Sequence, residues 1–181
     1  MKKNIIFTFI IIFTLLIMNS SFSRTNKSLI KKIPPEINAK NWLNSEKLNL
    51  NDQKGKIIFL EFWATWCPPC KKSIPHLIEL YKKYSKKNDV VFISLTNESY
   101  DKVKPYIEEM KINYPVGTGS STGRDYNVTS IPHSLIIDRN GIVFWEGHPS
   151  DDIEKRIDEL LKRKIKVDEP AKKEKNQKRM K

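Results

Sequence analysis

The chain contains only two cysteines, and they stand two residues apart in Cys67-Pro68-Pro69-Cys70, where an apolar run gives way to a helical pattern. Upstream, Ile57-Ile58-Phe59-Leu60-Glu61-Phe62-Trp63 is short, nearly continuous in apolar character, and β-branched or aromatic, as a strand buried on both faces requires. Downstream, Ile74, Leu77, Ile78 and Tyr81 recur at helical spacing, with Lys71, Lys72, Glu79, Lys82 and Lys83 on the other face. The cysteine pair is therefore expected at the N-terminus of a helix that leaves a buried strand, within an α/β core.

The remaining pattern is consistent with that core. Asp89 to Leu95 reads as a second buried strand and Ser99 to Met110 as a second amphipathic helix; strands joined by a helical crossover pair in parallel. Tyr114 to Val116 reads as a short strand. His133 to Asp138 and Ile142 to Glu146 flank the turn Asp138-Arg139-Asn140-Gly141, the pattern of an antiparallel hairpin. Ile153, Ile157, Leu160 and Leu161 make the stripe of a final helix with Ser150 as its expected N-cap. Trp42-Leu43 and Leu48-Asn49-Leu50 read as short flanking strand pieces. No internal repeat is present, and 181 residues suit one domain with tails.

At a helix N-terminus Cys67 would meet unsatisfied backbone N–H groups and the positive end of the helix dipole, which favour the thiolate and make Cys67 the attacking sulfur. Pro68 and Pro69 are tolerated in a first turn that has no use for their missing N–H groups. Cys70, one turn in, is expected to be more buried and to act as the resolving thiol. The competing use of two cysteines is half of a zinc site, but there is no second pair, and the histidines are His76, His133 and His148 only. A haem attachment site would need histidine where Lys71 stands. No resident metal or cofactor is expected.

The segment Phe62-Trp63-Ala64-Thr65-Trp66-Cys67-Pro68-Pro69-Cys70, with Pro75 five residues on, resembles the active-site segment of the TlpA- and ResA-like thiol–disulfide oxidoreductases of the thioredoxin superfamily. The resemblance covers roughly Glu36 to Leu161. It implies a three-layer α/β fold with a mixed central sheet, helices on both faces, and a helix-and-strand insertion between Asn97 and Thr129. Glu61 falls where thioredoxins carry a buried acid, and Ile131-Pro132 where they carry a cis-proline before a strand. The resemblance thus implies that Glu61, lifted by burial toward a neutral pKa, takes the proton from Cys70; an edge-exposed charge is the alternative. If Pro132 is cis, the backbone of Ile131 is free to pair with an extended substrate chain beside Cys67; the alternative is an ordinary trans proline at a strand start. Trp66 would supply apolar contact surface or belong to the core. Trp66, Pro68, Pro69, Ile131 and Pro132 are thus the candidate substrate-binding residues.

There are departures from the family pattern. Ser73 stands where many members have glutamate, the loop between the cysteines carries no acid, and His133 replaces a small or hydroxyl residue after the proline. The His133 ring is open to a pH-sensitive role, a metal-binding role, or a position away from the sulfurs.

Met1-Lys2-Lys3-Asn4 followed by the apolar run Ile5 to Met18 has the profile of an export signal, with Ser21-Phe22-Ser23 as a cleavage site. Residues 1–23 are assigned to that signal, or to an uncleaved anchor; 24–35 to a linker; 36–161 to the domain; and 162–181 to a basic, unpacked tail. Export to the periplasm or another extracytoplasmic space would let a cysteine pair persist as a disulfide. The net charge of +12 lies largely in the tail, with no basic stripe interleaved with aromatics, so nucleic acid is not an expected partner.

By resemblance, Ile131 before the proline favours a reductant. Its partners would be exported proteins carrying disulfides, such as cytochrome c apoproteins, and a membrane-embedded thiol donor. The same exchange in reverse would make an oxidant. Two further readings are copper(I) binding through Cys67, Cys70 and His133, and a thiol peroxidase. The peroxidase reading is disfavoured because Ala64 and Leu60 occupy the positions where its threonine or serine and its proline would stand.

Overall fold

The computed structural model describes residues 28–163. The expected export signal and all of the tail beyond residue 163 lie outside the described residues. The elements are β1 (Asn41–Leu43), β2 (Ile57–Phe62), α1 (Pro68–Tyr84), β3 (Val90–Leu95), α2 (Tyr100–Met110), β4 (Val116–Thr118), α3 (Thr122–Asp125), β5 (His133–Ile137), β6 (Val143–Gly147) and α4 (Ile153–Lys162). The six strands form one mixed sheet in the order β1-β4-β3-β2-β5-β6.

Every residue of β2 is buried because the strand lies inside the sheet. It pairs in parallel with β3, from Ile57 opposite Val90 to Phe62 opposite Leu95, and antiparallel with β5, from Ile58 opposite Ile137 to Phe62 opposite His133. The crossovers through α1 and α2 set β2, β3 and β4 parallel. The expected hairpin is β5–β6, with Gly141 at φ 78° and Asp138 Oδ1 accepting from the N–H groups of Asn140 and Ile142.

Side-chain alternation along β2 sorts the core into two layers. Ile57, Phe59 and Trp63 pack with Cys67, Cys70, Ile74 and Leu77 of the α1 region, with Val103 and Ile107 of α2, and with Ile153, Ile157 and Leu160 of α4. Ile58, Leu60 and Phe62 face the other way, toward Leu29, Ile37 and Tyr126. Helices thus lie on both faces but unequally: the three long ones share one face. The other is covered by the single turn of α3 and by irregular chain.

Four sequence expectations need correction. The stretch assigned to a linker is docked from Ser28 onward: Leu29 is buried, the Lys31 N–H donates to the Val143 carbonyl at 2.8 Å, and the Val143 N–H donates to the Lys32 carbonyl at 2.9 Å. The free edge of β6 supplies those bonds, which a count of polar residues in the segment does not reveal. Leu48 to Leu50 form no strand; the N–H groups of Leu50 and Asn51 are satisfied by the Glu36 carboxylate instead. The strand expected at Tyr114 to Val116 begins at Val116. Asp152, not Ser150, precedes α4; Ser150 is hydrogen-bonded to His148 Nδ1 at 2.8 Å.

Candidate active site

Strand β2 ends at Phe62, and the loop through Trp66 delivers Cys67 to the N-cap position of α1, with Pro68 and Pro69 opening the helix. Cys67 and Cys70 are joined as a disulfide. The Cys70 N–H donates to Cys67 Sγ at 3.3 Å, one of the helix-end donors that would stabilise negative charge on that sulfur once the pair is reduced. Both cysteines are buried, so exposure alone does not rank them. Their surroundings do: Cys67 is flanked by exposed Trp66, Pro68 and Pro69, whereas Cys70 is packed into the first turn of α1.

The Ile131–Pro132 peptide is cis, and the Ile131 carbonyl oxygen lies 3.7 Å from Cys67 Sγ. Trp66, 65 % exposed, is surface and not core. A groove of about 640 Å³ opens at this point between Trp66, Ile131, Arg124, Val128 and Thr129. A larger hollow of about 1030 Å³ lies between α1 and α4 around His76 and Asp158. Neither hollow is lined by a cysteine, but the smaller one is lined by Trp66, the neighbour of Cys67 in the chain, and by Ile131, whose carbonyl oxygen lies beside Cys67 Sγ.

Glu61 is fully buried on the face of the sheet that carries α1. Burial raises its pKa from 4.5 to about 8, against the hydrogen bond that Ser94 Oγ donates to Oε2 at 3.1 Å. In register, Glu61 stands between Ser94 on β3 and Ser134 on β5. Glu61 Oε1, Ser134 Oγ and Trp63 Nε1 are buried polar atoms with no hydrogen-bond partner among the described residues. Ser94 and Ser134 escape a motif-based reading; the available signal is a lone serine inside each of two otherwise apolar strands.

His133 faces away from this cluster. Its Nε2 lies 3.1 Å from Glu146 Oε1, without hydrogen-bond alignment, and its ring is 6.3 Å from that of Phe62. Burial lowers the His133 pKa while Glu146 opposes the shift. The third ligand proposed for copper(I) is thus turned elsewhere, and among the described residues no three His, Cys, Asp or Glu side chains gather to hold a metal ion. Ser73, in the place of the family's glutamate, donates its hydroxyl to the Cys70 carbonyl at 2.8 Å.

A model of the AhpC/TSA family matches residues 30–146. The chain is 32 % identical over 172 residues to the thiol-disulfide oxidoreductase ResA of Bacillus cereus, covering 90 % of this chain and 98 % of that one. Among solved structures it is similar to a putative thiol-disulfide oxidoreductase from Bacteroides vulgatus, at 26 % identity and TM-score 0.63, covering 76 % of this chain and 100 % of the other. It shares its fold with a putative thiol:disulfide interchange protein DsbE from Chlorobium tepidum, at 24 % identity and TM-score 0.63, over 75 % and 98 % of the two chains.

Proposed function

Because this chain belongs to the AhpC/TSA family of thioredoxin-like proteins and is a ResA-like thiol–disulfide oxidoreductase in sequence and fold, we propose that it works outside the cytoplasm as a reductant of disulfides in exported proteins. The observation that supports exchange through Cys67 is its position as the N-cap of α1, with the Cys70 N–H directed at its sulfur.

In the reduced enzyme the Cys67 thiolate attacks a substrate disulfide. One substrate sulfur leaves as a thiolate and takes a proton from solvent, and a mixed disulfide to Cys67 forms. Cys70 loses its proton to the Glu61 carboxylate and attacks Cys67 Sγ, which releases the second substrate thiolate. Two electrons have then passed to the substrate, and the Cys67–Cys70 disulfide remains. A carboxyl with a pKa near 8 exchanges protons easily at neutral pH, which suits it to this transfer. The Ile131 carbonyl beside Cys67 offers backbone pairing to an extended substrate, and Trp66, Pro68, Pro69 and Pro132 frame the approach.

The further elements of this proposal come from the family resemblance and the export-like N-terminus: cytochrome c apoproteins among the substrates, and a membrane-embedded thiol donor that returns the enzyme to the dithiol. The deciding experiment is the equilibrium reduction potential of the Cys67–Cys70 pair in redox buffers with thiol trapping. A value of roughly −270 mV supports the reductant, and one of roughly −120 mV replaces it with an oxidant.

A further inference from the structure

The loop that carries Trp66 and Cys67 is held from the side by a residue outside the cysteine motif. Glu98 lies in the turn between β3 and α2, and its carboxylate is buried. Oε2 accepts the Thr65 backbone N–H at 2.6 Å and the Thr96 hydroxyl at 3.3 Å; Oε1 accepts the Thr65 hydroxyl at 2.8 Å and pairs with Lys102 Nζ at 2.5 Å. Burial works against this charge, but the bonds from Lys102 and Thr65 outweigh it and hold the Glu98 pKa below the ordinary carboxylate value.

Glu98 is itself anchored. Its carbonyl accepts the Gly119 N–H at 2.8 Å, its N–H donates to Thr96 Oγ1 at 3.3 Å, and the Thr96 carbonyl accepts the Ser120 N–H at 3.0 Å. The Trp63 N–H donates to the Leu95 carbonyl at 3.1 Å, so both ends of the short segment 63–65 are tied to the same β3 terminus. Trp66 and Cys67 follow directly. A carboxylate receiving two hydrogen bonds from one loop residue, one of them from its backbone, restrains that loop more firmly than packing alone.

We propose that Glu98 is a positioning residue for the exchange reaction: by clamping Thr65 to the end of β3 it holds Cys67 at the N-cap of α1 and Trp66 at the edge of the groove. The proposal rests on the reading of Cys67 as the attacking thiol. Glu98 touches neither cysteine and acts only through Thr65.

The test is the pH profile of Cys67 alkylation by iodoacetamide in the reduced full-length protein, with urea unfolding measured in parallel. Glu98→Ala removes the clamp and is expected to slow alkylation at pH 7 by about fivefold, with the profile displaced to higher pH, because the helix-end donors no longer meet the sulfur squarely. Glu98→Gln retains an amide oxygen for the Thr65 N–H and is expected to stay within about twofold of wild type. Thr65→Ala, which keeps the backbone bond and loses only the hydroxyl, should fall between the two and serves if Glu98→Ala does not fold. Equal acceleration in Glu98→Ala and Glu98→Gln would show that only the charge matters, and would overturn the clamp. So would an unchanged profile in Glu98→Ala, or in Thr65→Ala where it stands in. If wild-type Cys67 reacts no faster than Cys70, the reading of Cys67 as nucleophile fails first, and the clamp with it.

Discussion

Ser94 Oγ donates a hydrogen bond of 3.1 Å to one oxygen of the Glu61 carboxyl group, and the other oxygen is buried without a partner among the described residues. One neutral bond is too little to keep a charge inside the sheet, so the group holds its proton up to a pKa of about 8. The folded protein therefore retains a proton that the unfolded chain gives up near 4.5. The stability linked to Glu61 is fully present below pH 4.5, falls as the pH rises to about 8, and is constant above it. That interval corresponds to about 5 kcal/mol at most. Glu61→Gln should flatten this slope, so that its urea midpoint exceeds that of wild type at pH 9 more than at pH 5. Parallel pH dependence in the two proteins would sink the assignment.

The same substitution separates stability from chemistry. With no carboxylate to accept the Cys70 proton, release of substrate from the mixed disulfide should slow by roughly 100-fold at pH 7, while the first attack by Cys67 keeps its rate. Stopped-flow measurement of the two phases with a peptide disulfide reads both steps, and equal slowing of both would point to a general loss of structure.

The proposed exchange gives the cysteines unequal tasks, and trapping distinguishes them. Cys70→Ser should accumulate a mixed disulfide to a disulfide-bonded peptide, visible by non-reducing electrophoresis, because the second attack is missing. Cys67→Ser should form none. Equal trapping by both variants would remove the order of attack assigned here.

Trp66 is a large apolar side chain left in water beside Cys67, the proposed nucleophile. Trp66→Ala should leave the free energy of urea unfolding within about 0.5 kcal/mol of wild type yet raise KM for peptide disulfides severalfold with little change in kcat. Unchanged KM would leave its exposure without a role in the exchange.

Leu29 and Glu146 hold the N-terminal segment to the sheet: Leu29 packs with Ile58 and Leu135, and Glu146 Oε2 accepts from Ser28 Oγ and the Leu29 N–H at 2.8 and 3.0 Å. Leu29→Ala should cost about 2 kcal/mol in urea unfolding. A loss under about 0.5 kcal/mol would mean that the segment contributes nothing to the fold.

Local features are encoded in short stretches of the chain. The apolar run Ile57 to Trp63, the helical stripe after Cys70 and the Asp138–Gly141 turn each encode their element through periodicity or turn chemistry, and β2, α1 and the β5–β6 hairpin lie where those signals put them. The two-residue spacing of the cysteines and their place at a strand-to-helix junction were equally legible, because both are relations between near neighbours in the chain. Relations between distant residues arise in the folded chain alone. It set Ser94 and Ser134 on either side of Glu61 through strand register, turned His133 toward Glu146, brought Glu98 against Thr65, and docked Leu29 on the sheet. Each of those contacts joins segments well separated in sequence. Register, edge pairing and the burial of a charged group depend on what the rest of the chain places beside it, and no local pattern carries that information.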